Sequence, residues 1–287
     1  MHLFTDIGPL QSYLALCRSD GKKIGLVPTM GALHAGHLSL VAKARQDCDL
    51  VISSVYVNPT QFNNPDDLIH YPRTVLADRR LLESANSDIL FLPDDHAMYP
   101  QKTLLKFNFG YLENVMEGKY RPGHFNGVAT VVSKLLHIVN PNAAYFGQKD
   151  LQQFVVIRQL VNDLSFGVQL VCCPIIREKD GLAMSSRNVR LSNKDRAIAP
   201  VLFQTLQMAR KMMILGTPVT SVKQAVAERL ASIPKVHLEY FEIVDSYNLQ
   251  VVEEVTAHEK ISLCIAAQLG EIRLIDNIFL NIEEDTI

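Results

Sequence analysis

Short apolar runs alternate with amphipathic stretches through the first two thirds of the chain. The runs at 22–28, 50–57, 88–93, 142–147 and 167–176 are almost continuously apolar and short, as strands buried on both faces are. Between them, the spacing predicts helices at 37–47 (apolar at Leu38, Leu40, Val41 and Ala44), 76–85, 127–139 and 150–164. Strands alternating with helices imply right-handed crossovers and a parallel sheet covered on both faces. The pattern then changes. An amphipathic helix is expected over 194–215, ending at Gly216, and a second follows Pro218. Alternating runs at 236–245, 260–270 and 271–280 read as hairpin-like strands. The expected fold is therefore α/β: a Rossmann-like, doubly wound parallel sheet over residues 1–176, with a smaller α+β domain over 177–287 acting as a lid.

Composition narrows the function classes. The 287 residues are 48% apolar and 20% charged with a net charge of −2, which gives no basic footprint for holding nucleic acid. No apolar run reaches the eighteen or so residues of a membrane span, and no basic segment precedes the first apolar residues as in a secretory signal. Five cysteines, an odd number with Cys172 and Cys173 adjacent, do not make a disulfide framework. A reducing cytoplasm is the expected setting.

In an open parallel sheet, ligands bind beyond the carboxyl ends of the strands. Four polar motifs are expected there: "PTMGALHAGH" (28–37), "NPTQF" (58–62), "FGQKD" (146–150) and "MSSRN" (184–188). His34 and His37, three apart at a helix start beside Gly36, suit an anion lying over the helix N-terminus, where free N–H groups and the dipole favour negative charge. Either ring offers a neutral donor or a positive charge, and a polyphosphate is the ligand suggested. Zinc fits less well, because H-A-G-H lacks the H-E-x-x-H spacing. A pair of merely capping or packed histidines is the bland alternative. Ser185, Ser186 and Arg187 suit a mobile phosphate clamp with Gly181 as its hinge, although serine and asparagine here also cap helices well. Lys149 supplies a point charge at a helix start, an ordinary place for a solvated lysine. Gln61 and Gln153 are uncharged amides able to grip a hydroxyl and a carboxylate, or else members of a polar face. Phe62, Val128, Val131 and Phe146 suit an apolar wall or the core.

The histidine pair and the M-S-S-R loop together resemble the signatures of adenylate-forming nucleotidyltransferases, a superfamily that includes class I aminoacyl-tRNA synthetases. With "VNPTQF", "YPRT", "RPGHFNGVATVV", "FGQKD" and "REKDGLAMSSRN" in order across nearly the whole chain, the sequence resembles the pantoate–β-alanine ligase family. The resemblance implies ATP-dependent joining of (R)-pantoate to β-alanine through a pantoyl adenylate, with Mg²⁺, in a cytoplasmic homodimer. It implies catalytic roles for His37 (the general acid), His34 and Lys149. It implies ATP contacts from Met30, Gly31, Ala32, Leu33, His34, Ala35, Gly36, His37, Gly147, Gln148, Lys149, Asp150, Ile176, Met184, Ser185, Ser186 and Arg187. Gln61 and Gln153 would hold pantoate, Gln61 would also meet β-alanine, and Asp78, preceded by Ala77, would contact the metal. Two other classes compete: a nucleotidyltransferase that stops at nucleotide transfer, and a nucleotide-sensing module without turnover. The first is usually shorter than this chain, and four phosphate-facing motifs disfavour the second. A neutral surface and a missing anticodon-binding region disfavour a tRNA synthetase.

Overall fold

The structure, a computed structural model, describes residues 1–254 and 260–281; the end of the expected second domain, 282–287, lies outside the described residues. The chain divides into two compact units, Met1–Gln148 with Gln152–Pro174, and Lys149–Leu151 with Ile175–Ile287.

The first unit is built on six strands: β1 (His2–Phe4), β2 (Ile24–Thr29), β3 (Leu50–Val55), β4 (Ile89–Phe91), β5 (Ala143–Gly147) and β6 (Gln169–Cys173). They form one parallel sheet in the order β1-β4-β3-β2-β5-β6. All six residues of β3 are buried, as a central strand with both faces covered requires. The period-two alternation sends side chains into separate cores on the two faces. Ile24, Leu26, Ile52 and Phe91 pack with Leu10 and Leu14 of the helix Ile7–Ser19 and with Val128 and Leu135 of the helix His124–Val139. Val27, Val51, Val55 and Leu90 pack on the other face with Leu40, Val41 and Ala44 of the helix Ala35–Asp47 and Leu82 of the helix Val75–Ser84. This is the expected doubly wound arrangement. The sequence reading had missed β1 and the helix after it, a three-residue edge strand being too short to carry a pattern.

Strand order reverses between β2 and β5, so the segments leaving those two strands start at the switch point of the sheet. The segment after β2 runs from Met30 to His37, and Gln148 follows β5.

In the second unit, an antiparallel sheet of β7 (Val236–Asp245), β8 (Lys260–Leu269) and β9 (Ile272–Asn281) packs against helices through Leu202, Leu206, Val222, Val226, Ile261, Leu263 and Ile265. The helix expected over 194–215 is instead two, Asn193–Ile198 and Val201–Ile214. Pro200 sits at the break. It has no N–H to give back along a helix, and its ring collides with the preceding turn.

Candidate active site

Beyond β2 the backbone turns through two residues of positive φ, Gly31 (+82°) and Ala32 (+50°). Glycine adopts this conformation freely, whereas an alanine there costs about 1–2 kcal/mol and needs support. Support comes from Asp78, 1% exposed in the first turn of the helix Val75–Ser84. Its Oδ2 accepts the Ala32 N–H at 3.0 Å, and its Oδ1 accepts the Leu33 N–H at 2.8 Å and the Thr74 hydroxyl at 3.1 Å. The Gly31 N–H goes to Thr29 Oγ1 at 3.2 Å. A side chain at Gly31 would put its Cβ 3.0 Å from Asp78 Oδ2 and 3.1 Å from Val55. The amides of Gly31, Ala32 and Leu33 therefore all bond within the protein.

The same holds at the helix start. His34 is the N-cap of the helix Ala35–Asp47; its Nδ1 accepts the Gly36 N–H at 3.1 Å, and Nδ1 of His37 accepts the His34 N–H at 3.3 Å. Two imidazoles thus do the work of the serine and glutamate of an ordinary capping box. Because both Nδ1 atoms accept, each neutral ring must carry its proton on Nε2. The rings lie side by side, centroids 4.1 Å apart and tilted by 45°. Capping and ligand binding, set as alternatives from the sequence, are compatible here: the cap engages Nδ1 of each ring and fixes the tautomer with its proton on Nε2. Protonating either ring at Nδ1 would break its cap bond.

Asp78 does not fit as a metal ligand. Its buried oxygens already meet three neutral donors, and the neighbouring position is Ala77. Among the described residues no group of three or more His, Cys, Asp or Glu side chains is arranged to hold a metal ion.

A set of polar side chains surrounds Gln61, which ends the short turn Pro59–Gln61 after β3 and is 6% exposed. Asn58, 1% exposed, donates from Nδ2 to Gln61 Oε1 at 3.1 Å and to the Gly127 carbonyl at 3.2 Å. Tyr99 donates to Asn58 Oδ1 at 2.8 Å, and burial pushes the Tyr99 phenol up, keeping it a donor. Gln61 Nε2 points to the Met30 sulfur at 3.0 Å, which joins this turn to the loop after β2. The Gln61 carbonyl accepts from His124 Nδ1 at 2.8 Å, since Arg121, always a donor, occupies His124 Nε2 at 3.1 Å. The backbone of the helix His124–Val139 comes so close that a Cβ on Gly127 would lie 2.2 Å from the Thr60 carbonyl oxygen. Sequence reasoning named Gln61 but gave Asn58 no role. Its signal is the N-P-T-Q spacing, because i and i+3 eclipse in a 3₁₀ turn. Of the two amides opening the helix Leu151–Asp163, Gln152 is locked against the Glu117 N–H and the Leu112 and Val115 carbonyls, while Gln153 is half-buried.

Gly147 ends β5, and Gln148, Lys149 and Asp150 form a short 3₁₀ turn. The Lys149 side chain is 18% exposed, its Nζ 3.8 Å from the Asp150 carboxylate. Within the second unit, Asn277 Nδ2 donates to the Lys149 carbonyl at 3.1 Å, beside the bidentate pair of Arg177 and Asp276 at 2.6 and 2.9 Å. The segment leading to the serines is a tight hairpin within that unit. Met184 N–H bonds the Ile176 carbonyl at 3.0 Å, and Arg177 bridges to Ala183. Gly181, read as a hinge, is a turn residue at φ +94° whose Cβ would meet Phe203 at 2.4 Å. Ser185 Oγ accepts the Arg187 N–H at 3.2 Å, the capping role its sequence also allowed; Ser186 and Arg187 open the 3₁₀ turn Ser186–Arg190 and are half-buried.

Comparison with known proteins identifies the family. The family model for pantoate-beta-alanine ligase matches residues 2–279. A pantothenate synthetase of Porphyromonas gingivalis is 49% identical over 278 residues, covering 97% of this chain and 99% of that protein. That of Bacteroides fragilis is 46% identical, covering 97% and 98%. The crystal structure of pantothenate synthetase from Thermus thermophilus superposes with a TM-score of 0.91 at 41% identity, covering 97% of this chain and 99% of that one. The pantoate-beta-alanine ligase of Francisella tularensis, solved with beta-gamma ATP and beta-alanine, gives 0.80 at 36% identity, covering 97% of each chain. The chain belongs to the pantoate–β-alanine ligase family, and is a ligase that forms an amide bond.

Proposed function

We propose that this ligase condenses (R)-pantoate with β-alanine in two steps: pantoate and ATP give pantoyl adenylate and pyrophosphate, and the amine then displaces AMP. A carboxylate alone is a poor acylating agent, because its leaving group would be oxide. Joining that oxygen to the α-phosphorus makes AMP the leaving group. Such a reaction asks the protein for in-line alignment and for donors where phosphate charge builds.

One observation carries this reading: the capping box that sets two imidazoles side by side, each using Nδ1 for the cap and so carrying the proton of its neutral form on Nε2. Fixed neutral donors stabilise charge as it develops without reorganising. His34 and His37 are assigned to the phosphates, His37 as donor to the departing pyrophosphate oxygens. Lys149 and Arg187 supply positive charge, the second as a fork, with Ser185 and Ser186 beside it. ATP is further contacted by the segments Met30–Gly36, Gly147–Asp150, Ile176 and Met184. Gln61 and Gln153 hold pantoate, and Gln61 also meets β-alanine; the bond that Gln61 Oε1 accepts from Asn58 and the one that its Nε2 donates to the Met30 sulfur favour a fixed amide. Mg²⁺ enters with the triphosphate, and no side chain here is assigned to it. No described helix is long and apolar enough to cross a membrane; a cytoplasmic homodimer is what the family resemblance implies.

Pantoate labelled with ¹⁸O in its carboxylate tests the route. One label is expected in AMP, and exchange of labelled pyrophosphate into ATP should need pantoate but no β-alanine. Label in inorganic phosphate with release of ADP would replace the adenylate by an acyl phosphate and remove these assignments.

A further inference from the structure

We propose that Asp78 is a positioning residue for this reaction: its buried carboxylate fills the concavity of the Gly31–Ala32 turn and thereby fixes where the capping pair His34 and His37 stands. The proposal rests on reading Met30–His37 as the nucleotide segment. Successive N–H groups converging from a turn make a concavity that binds anions. Here the Ala32 and Leu33 amides converge on Asp78 at 3.0 and 2.8 Å, so the chain supplies its own anion. Thr74 strengthens the arrangement. It is the N-cap of the helix carrying Asp78, yet its hydroxyl makes no cap bond and goes to Asp78 Oδ1 at 3.1 Å.

The conformation held this way is one alanine avoids. Ala32 keeps φ at +50° while its N–H has the carboxylate to bond, and Leu33, which makes the second such bond, directly precedes the N-cap His34. The position of the capping box is thus tied to a residue 41 or more places away in sequence, on another helix. With this concavity filled by a fixed carboxylate, the triphosphate is excluded from it.

Asp78→Asn tests this. The amide keeps the size and one acceptor, but turns an N–H toward the Ala32 N–H. Pantoate-dependent ATP–pyrophosphate exchange should fall in kcat by at least about ten-fold, because small misplacements of a catalytic group are costly. The KM for pantoate should stay within about two-fold, unfolding should remain cooperative, and the half-activating Mg²⁺ concentration should not move. Adding Ala32→Gly should recover about five-fold, since glycine holds positive φ without support. Three results overturn the proposal: full activity in Asp78→Asn, a shifted Mg²⁺ midpoint with rescue by excess Mg²⁺, or no recovery from Ala32→Gly. Should Asp78→Asn fail to fold, Thr74→Val removes one donor only. It should lose about three-fold in kcat with the same rescue, and unchanged kcat would overturn the proposal. Absence of pantoate-dependent exchange in the unaltered enzyme is a separate result, which would remove the nucleotide assignment itself.

Discussion

An aspartate braces a turn in each unit, and the two do so by different physics. Asp78 is 1% exposed and meets two backbone N–H groups and a hydroxyl. Asp180 caps the hairpin of the second unit by accepting the Leu182 N–H at 3.3 Å, but its side chain is 43% exposed and it pairs with Arg196, 34% exposed. A buried carboxylate with only neutral donors tolerates little movement, because any lost bond leaves charge unsatisfied in a poor solvent. An exposed ion pair has water as an alternative partner and is worth little. The brace at Asp78 is therefore strict, and the brace at Asp180 weak.

The largest expected effect lies on the strictly braced side. His37→Ala removes an Nε2–H donor together with the acceptor for the His34 N–H, and should lower the single-turnover rate of pyrophosphate formation by about a hundred-fold or more with folding nearly normal. Unchanged turnover would mean that the rings serve the helix cap alone. Next is Gly127→Ala. A methyl group 2.2 Å from the Thr60 carbonyl oxygen must push the turn Pro59–Gln61 away, an overpacking that costs about 1–3 kcal/mol. Melting temperature should fall by several degrees, and the KM for pantoate should rise about ten-fold while that for ATP holds. Equal rises for both substrates would show that Gln61 supports the fold without selecting the acid. On the weakly braced side Arg187→Lys is milder: a point charge replaces a planar fork, and about ten-fold in kcat is expected to be lost. A complete loss there would mean that the hairpin is as rigidly built as the loop.

The sequence exposes this contrast only in part. Strands buried on both faces announce themselves as short apolar runs, so the sheet and its motifs were legible, as were the three strands of the second unit. Pro200 was visible in the helical pattern, yet its effect on the helix went unread. The role of Asp78 had no such signature. Nothing in "GAL" marks Ala32 as left-handed, and the donors that define the aspartate come from a loop 45 residues earlier. The capping box was hidden for a related reason, since imidazoles are not the usual residues for that geometry. What escaped were backbone conformations and the long-range bonds that support them; what was read correctly were periodicities.

The smallest effect isolates the exposed aspartate. Hydrogen bonding from Arg196 holds the Asp180 carboxyl below its usual range, with the Leu182 N–H adding to the effect. A carboxylate whose pKa is lower folded than unfolded adds stability above its unfolded value of about 3.9 and loses it as pH falls through the folded value. With both partners at least a third exposed, solvent screening leaves the pair about 0.5 kcal/mol. Urea unfolding of the native protein and of Asp180→Asn should thus differ by that amount at pH 7. The difference should shrink in 1 M salt and vanish once the pH has fallen through the folded value, where the carboxyl is protonated in both states. It should be accompanied by no more than about a two-fold change in kcat, because the hairpin retains its backbone bonds from Glu178 to Leu182 and from Met184 to Ile176. A difference surviving acid and salt would mean that the Asp180 turn is held by its neutral hydrogen bond, as the Asp78 turn is, and the contrast between the two segments would then have to rest on burial alone.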